Sequence, residues 1–276
     1  MIHPLSHAQN GLPRLLVSVR NTDEAREALS GGCDLLDVKE PRRGPLGKAD
    51  NSTIAETVRV TSDRREANSE IWVSAALGEA EQWRCSEGVP RLPDGLDFVK
   101  LGLAGLGPDR AATEQWSSVM RSFESSSAKP FNWIAVIYAD WRLCDAPQPE
   151  LIVDAAVKSG CVGVLFDTYR KDGRNLLDNF TIDELEPLVE RIREAGLIAA
   201  LAGRITRELL PALATLAPDV IAVRSAACVD GDRKGQVTAS TVRGFKDAME
   251  SAFAPVSATS RLVGPTGVAG VTRLED

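Results

Sequence analysis

Eight short apolar runs recur along this chain, at 15–19, 35–38, 71–77, 98–103, 133–139, 162–168, 198–204 and 219–226. Stretches with helical spacing fill the intervals, most clearly at 23–29, 109–123, 150–158, 181–195 and 207–216, and a last one follows at 239–253. Several runs are entered through the same punctuation, a helix end and then one or two small residues: Gly31-Gly32-Cys33-Asp34, Ser159-Gly160-Cys161 and Ala195-Gly196-Leu197. Continuous apolar runs are what strands buried on both faces of a parallel sheet require. Eight strand–helix units, in a length close to the roughly 250 residues typical of the architecture, predict a closed (β/α)8 barrel rather than an open sheet. No domain boundary is visible inside residues 14–253, so a single α/β domain is expected. Residues 1–13 read as a loose extension, and 254–276 as a tail rich in Pro, Gly, Ser and Thr.

Charges at the ends of such strands need a reason. The second run closes as Leu35-Leu36-Asp37-Val38-Lys39-Glu40-Pro41, and related endings return at Phe98-Val99-Lys100, Val164-Leu165-Phe166-Asp167 and Ile221-Ala222-Val223-Arg224. In a barrel, the C-terminal strand ends form the mouth where active sites lie. Asp37, Lys39, Lys100, Tyr138, Asp140, Asp167 and Arg224 are therefore expected on one rim, with Lys171 four residues beyond Asp167. Asp37 and Lys39, two apart, share a face. A lysine in such a mouth, close to other cations, can lose its proton and attack a carbonyl while carboxylates orient it. The competing reading is a set of structural ion pairs filling the barrel end. Small residues after the last two strands, Ala202-Gly203-Arg204 and Arg224-Ser225-Ala226, mark where backbone N–H groups could approach a phosphate. Tight packing at a strand–helix turn would use the same composition. Arg42-Arg43 reads as surface charge, although Arg43 could reach over the mouth.

Other chemistries are excluded by composition. The only histidines, His3 and His7, lie in the N-terminal extension. A histidine triad or multi-histidine metal site cannot then be built inside the domain, and acid–base work falls to Lys, Asp, Glu, Tyr or Cys. Cys33, Cys85, Cys144, Cys161 and Cys228 contain no C-x-x-C pair and read as reduced thiols of a cytoplasmic protein. A net charge of -7 argues against nucleic acid, and no apolar run approaches membrane-spanning length.

With these residues in view, the chain resembles the (5-formylfuran-3-yl)methyl phosphate synthase family, also called 4-(hydroxymethyl)-2-furancarboxaldehyde-phosphate synthase. The resemblance is carried by Leu16-Val17-Ser18, the stretch from Gly31 to Pro41, Gly44-Pro45-Leu46-Gly47, Asp97-Phe98-Val99-Lys100-Leu101-Gly102-Leu103 and Tyr138-Ala139-Asp140. It continues through Asp167-Thr168-Tyr169-Arg170-Lys171-Asp172-Gly173, Leu201-Ala202-Gly203 and Val223-Arg224-Ser225-Ala226-Ala227-Cys228. These motifs fall in order over roughly residues 15–250. The resemblance implies a cytoplasmic lyase that condenses two molecules of glyceraldehyde 3-phosphate into a furan phosphate, the core of methanofuran-type one-carbon carriers. It also implies Lys39 as the Schiff-base lysine, Lys171 as a second essential lysine, and Asp37, Lys100 and Asp167 in support. Gly203, Arg224, Ser225 and Ala226 are then the phosphate-binding candidates. No cofactor or metal is expected, and a homo-oligomer is left open. The chain departs from the family at Ser225, where glycine is expected, in segment 79–95, and in both tails.

Two rivals stay open: another lysine-dependent sugar-phosphate aldolase or isomerase, and a non-catalytic barrel that binds a sugar phosphate.

Overall fold

The computed structural model describes residues 11–65, 70–84, 86 and 88–254, so positions 1–10 of the N-terminal extension, 255–276 of the C-terminal tail, and Cys85 lie outside the described residues. Eight parallel strands close into a barrel in sequence order: β1 (Arg14–Val19), β2 (Leu35–Val38), β3 (Trp72–Glu79), β4 (Phe98–Gly102), β5 (Trp133–Tyr138), β6 (Gly163–Asp167), β7 (Ile198–Leu201) and β8 (Val220–Val223). The interleaved helices are α1 (Thr22–Ser30), α2 (Asn51–Arg65), the single turn α3 (Glu81–Arg84), α4 (Arg110–Ser125), α5 (Pro149–Lys158), α6 (Ile182–Glu194), α7 (Leu210–Ala214) and α8 (Ala239–Phe253). The single-domain (β/α)8 expectation holds. Among the described residues, no helix is long and apolar enough to cross a membrane.

Strand alternation divides the core into two shells. Leu36, Val38, Val99, Leu101, Val164 and Phe166 pack outward among the helices. Their neighbours Leu16, Leu35, Phe98, Ile134, Leu165, Ile198, Val220 and Ala222 fill the barrel interior. Successive side chains on a strand point to opposite faces. Continuing each inward series toward the mouth therefore brings Ser18 after Leu16, Asp37 and Lys39 after Leu35, Lys100 after Phe98, and Asp167 after Leu165. The polar layer of the mouth is the last turn of the same period that builds the floor.

The last two strands and the helix between them are shorter than the sequence predicts. The run 198–204 leaves the strand after Leu201, because Gly203 and Arg204 both take left-handed backbone (φ 91° and 55°). Strand β8 ends at Val223, and Ser225–Ala227 closes into a 3-10 turn. The predicted helix 207–216 is split into a 3-10 turn, Arg207–Leu209, and α7, with Pro211 at the start of the latter. Proline lacks the N–H that a continuous helix would need there.

Candidate active site

Strand pairing sets the geometry of the charged layer. The register places Ser18 beside Asp37, and Asp37 beside Ser74 on the next strand. Asp37, 1% exposed, is held on three sides. Its carboxylate accepts from Lys100 Nζ at 2.5 Å, Ser74 Oγ at 2.8 Å and Ser18 Oγ at 3.1 Å. Burial alone would raise its pKa, but the Lys100 and Lys39 charges and the hydrogen bonds from Lys100 and Ser74 outweigh that and hold it below the ordinary value. Asp37 is thus a buried anion with its partners in place.

Asp167 occupies the equivalent place across the mouth. It accepts from the Thr168 N–H at 2.7 Å and from Lys171 Nζ at 3.1 Å. Burial again pushes its pKa up, and the cations of Lys171 and Lys39 with these hydrogen bonds bring it net down. Lys171 also donates to the Thr168 carbonyl at 2.5 Å and to Thr168 Oγ1 at 3.1 Å, so its ammonium is fixed over the end of β6. The loop that carries it is fastened from below: Asp140 accepts from the N–H groups of Tyr169 (2.6 Å) and Arg170 (2.8 Å).

Lys39 lies between these two anions and differs from both other lysines. Among the described residues, its Nζ has no hydrogen-bond or ion-pair partner. The residue is 8% exposed. Its pKa is lowered to about 8 by burial first, aided by the charges of Lys171 and Lys100 and opposed by those of Asp167 and Asp37. At that value about a tenth of the amine is neutral at pH 7. An unpartnered, largely buried amine at the floor of an open cavity is the arrangement a nucleophilic lysine needs.

That cavity is about 400 Å³. Asp37, Lys39, Lys100, Asp167, Lys171, Gly203, Arg224 and Ser225, all expected on the rim, line it together. Ala226 does not: it packs against the outer core shell. Gly203 needs its left-handed backbone (φ 91°), and a Cβ there would come within 3.2 Å of the Thr168 methyl. Arg43 is exposed and tied to Asp50 (2.8 Å) and the Lys48 carbonyl (3.0 Å); it is not part of the cavity wall.

The structure gives Arg224 a different occupation from phosphate binding. Its Nη1 and Nη2 form a two-pronged ion pair with Glu24. The remaining N–H groups donate to the carbonyls of Ser18 (2.9 Å), Arg233 (3.0 Å) and Gly235 (2.9 Å). A guanidinium has five N–H donors, and protein acceptors take all of them. The cavity wall holds Arg224, but its hydrogen-bonding capacity is directed into the wall itself.

Sequence reasoning did not find Glu79, buried beside the site. Its carboxyl accepts from Tyr138 Oη at 2.5 Å and from the Ala104 N–H at 3.1 Å. Burial raises its pKa to about 7, against the hydrogen bonds from Tyr138 and Ala104. The pair is housed in a space kept open by Gly102, whose Cβ would stand 1.9 Å from Glu79 Oε2 and 2.7 Å from Tyr138 Oη. The thiols of Cys33, Cys144 and Cys161 are pushed up to about 12, chiefly by burial, and are not nucleophiles at neutral pH.

Comparison with known proteins agrees with this architecture. The chain is similar to solved barrels including the thiamine phosphate pyrophosphorylase of Pyrococcus furiosus (TM-score 0.52, 16% identity, 88% of this chain and 98% of that one). It is likewise similar to the 3-hexulose-6-phosphate synthase of Salmonella typhimurium (TM-score 0.51, 16% identity, 87% and 99%). At that identity the likeness is one of fold. Sequence relatives are more informative. The (5-formylfuran-3-yl)methyl phosphate synthase of Methanothermobacter thermautotrophicus is 34% identical over 241 residues, covering 86% of this chain and 99% of the relative. The protein of the same name from Methanopyrus kandleri is 34% identical over 247 residues, with 86% and 99% covered. The profile of the family described as 4-HFC-P synthase matches residues 15–246, which is the whole barrel from β1 into α8. The chain belongs to the 4-HFC-P synthase family, the (5-formylfuran-3-yl)methyl phosphate synthases.

Proposed function

We propose that this enzyme condenses two molecules of glyceraldehyde 3-phosphate into (5-formylfuran-3-yl)methyl phosphate, releasing one phosphate and, by atom balance, two molecules of water. The observation that carries the mechanism is Lys39: buried, without a hydrogen-bond partner among the described residues, held between two carboxylates, and with its pKa lowered to about 8. The neutral amine adds to a triose carbonyl, and loss of water gives an iminium. That cation withdraws electrons from the neighbouring carbon, whose proton is then removed to give an enamine.

The enamine expels the phosphate from its own third carbon, leaving an enol whose terminal carbon adds to the C2 ketone of the second triose, isomerised to dihydroxyacetone phosphate. The free C1 hydroxyl of that triose closes the ring on the second carbon of the first, two dehydrations make the ring aromatic, and water hydrolyses the imine to release the formyl group and Lys39. Asp167 and Lys171, 3.1 Å apart, are suited to exchange protons with these intermediates, since one holds an anion and the other a cation over the same part of the cavity. Burial is what lowers the Lys39 pKa most; of Asp37 and Lys100, paired at 2.5 Å beneath it, Asp37 opposes that shift and Lys100 assists it. Gly203 and Ser225 offer backbone at the ends of β7 and β8, the usual side for a phosphate in a barrel. The product is the furan from which methanofuran-type one-carbon carriers would be built.

The test is purified protein with glyceraldehyde 3-phosphate as sole substrate, followed by mass spectrometry and a phosphate assay. Furan phosphate with one equivalent of inorganic phosphate is the expected result. Dihydroxyacetone phosphate or a simple aldol product, without phosphate release, would overturn the proposed reaction and favour an isomerase or aldolase.

A further inference from the structure

Arg224 is the cation that the sequence offers for a phosphate, yet its five N–H groups are committed to protein acceptors. What they hold is informative. Arg224 donates to the carbonyls of Arg233 and Gly235, at 3.0 and 2.9 Å. Arg20, itself paired with Glu24 at 2.7 Å, donates to the carbonyls of Lys234 and Gly235, at 2.9 and 3.2 Å. Two arginines that share one buried glutamate thus grip three consecutive carbonyls of the loop between β8 and α8. The loop's other end is closed by Val229 N–H to the Gln236 carbonyl at 3.0 Å, and by a bridge between Cys228 and Val237. Four hydrogen bonds from cationic donors to one short exposed loop are more than a plain connector needs.

The side chain this grip presents is Arg233. It lines the cavity, and among the described residues its guanidinium has no hydrogen-bond or ion-pair partner. It is half-buried, and burial pulls its pKa down while the charge of Asp167 pulls it up and that of Arg224 down. It therefore shares the field of the catalytic carboxylate with no anion bonded to it. A guanidinium presents donors in a rigid fork that matches phosphate oxygens.

We propose that Arg233 binds the phosphate of a triose phosphate in the Lys39 cavity, and that Glu24, Arg20 and Arg224 are positioning residues that hold its loop over the mouth. The substrate class rests on the functional reading above. The requirement for an anion does not, because it follows from a guanidinium to which, among the described residues, no anion is bonded.

The test compares Arg233→Gln and Arg233→Lys with the unaltered enzyme, using glyceraldehyde 3-phosphate for kinetics and inorganic phosphate as a calorimetric probe. Removing charge-assisted hydrogen bonds should raise KM, and weaken inorganic phosphate binding, by about 10- to 100-fold. The change in kcat should be much smaller, and the lysine variant should recover part of the loss. The melting temperature should barely move, since among the described residues the guanidinium makes no hydrogen bond or ion pair. A Gln variant with unchanged KM and unchanged phosphate binding would overturn the proposal, as would an unaltered enzyme that binds no phosphate. If the enzyme forms no furan at all, phosphate binding that is lost in Arg233→Gln still supports the anchor, and the failure then belongs to the proposed reaction alone.

Discussion

Lys100→Met is the substitution that separates a catalytic field from a mere ion pair. Lys100 and Asp37 are both nearly inaccessible and lie 2.5 Å apart, so removing the ammonium leaves a buried carboxylate without its strongest partner. Breaking such a pair typically costs about 3–5 kcal/mol. Here Ser74 and Ser18 still donate to the carboxylate, which places the expectation near the lower figure. For a chain of this size, about 3 kcal/mol lowers the melting temperature by roughly 6–12 °C. Asp37→Asn with Lys100→Met removes both charges and should recover much of that loss, which a double-mutant cycle measures directly.

The catalytic consequence has a definite sign. Lys100 is one of the cations that lower the Lys39 pKa to about 8. Without it, the Lys39 pKa rises, less neutral amine is present at a given pH, and the acid limb of kcat/KM moves to higher pH. The wild-type limb should centre near 8 and that of Lys100→Met measurably above it. A variant that is destabilised but keeps the wild-type limb would show that Lys100 has only a structural role and refute the field argument.

Three further outcomes follow from the same geometry. Lys39→Arg keeps the charge but cannot form an imine, so turnover should fall on the order of 10³-fold or more, and near-normal kcat would exclude the covalent role. Glu79 is a carboxyl whose folded pKa is raised to about 7, so its proton stabilises the fold fully below its ordinary pKa of 4.5 and that stabilisation is lost as pH rises through 7. Across that window the difference is about 3 kcal/mol. Urea unfolding of Glu79→Gln between pH 5 and 8.5 should lack this slope, and an unchanged slope would mean the carboxyl titrates normally. Gly102→Ala forces a Cβ to within 1.9 Å of Glu79 Oε2, and overpacking of this kind should cost about 1–3 kcal/mol. Adding Glu79→Ala should relieve that cost, and a single variant as stable as wild type would show that the carboxyl moves aside freely.

The barrel was legible because its interior obeys one rule. Apolar runs alternate inward and outward, and the charges that break them at Asp37, Lys39, Lys100 and Asp167 fall on inward positions of their strands. Chain order, punctuation and parity were then enough to bring these four into one mouth. Glu79 escaped because parity fails there. The register between β3 and β4 shifts between Ala76 and Glu79, with Gly78 at φ 83°. An inward series through Ala76 would continue to Gly78 and leave Glu79 outside; the bulge turns it in, against Tyr138.

The engagement of Arg224 with Glu24 was hidden for another reason. Arg224 has the parity of an inward cation at a strand end, but its partner Glu24 lies 200 residues away in the first turn of α1. An acid in that position reads as a favourable charge on a helix N-terminus, and nothing local marks it as half of a buried pair. Arg233 stands in an irregular loop, where neither periodicity nor strand-end position applies. Only the hydrogen bonds to its backbone reveal that it is held in place.

The covalent role of Lys39 is tested most directly by borohydride trapping. The enzyme would be mixed with glyceraldehyde 3-phosphate, reduced, digested and mapped by mass spectrometry, with a substrate-free control. A reduced triose phosphate attached to Lys39, with loss of activity in proportion to labelling, is the predicted result. Labelling at Lys171 in place of Lys39, or furan formation that borohydride does not interrupt, would contradict it.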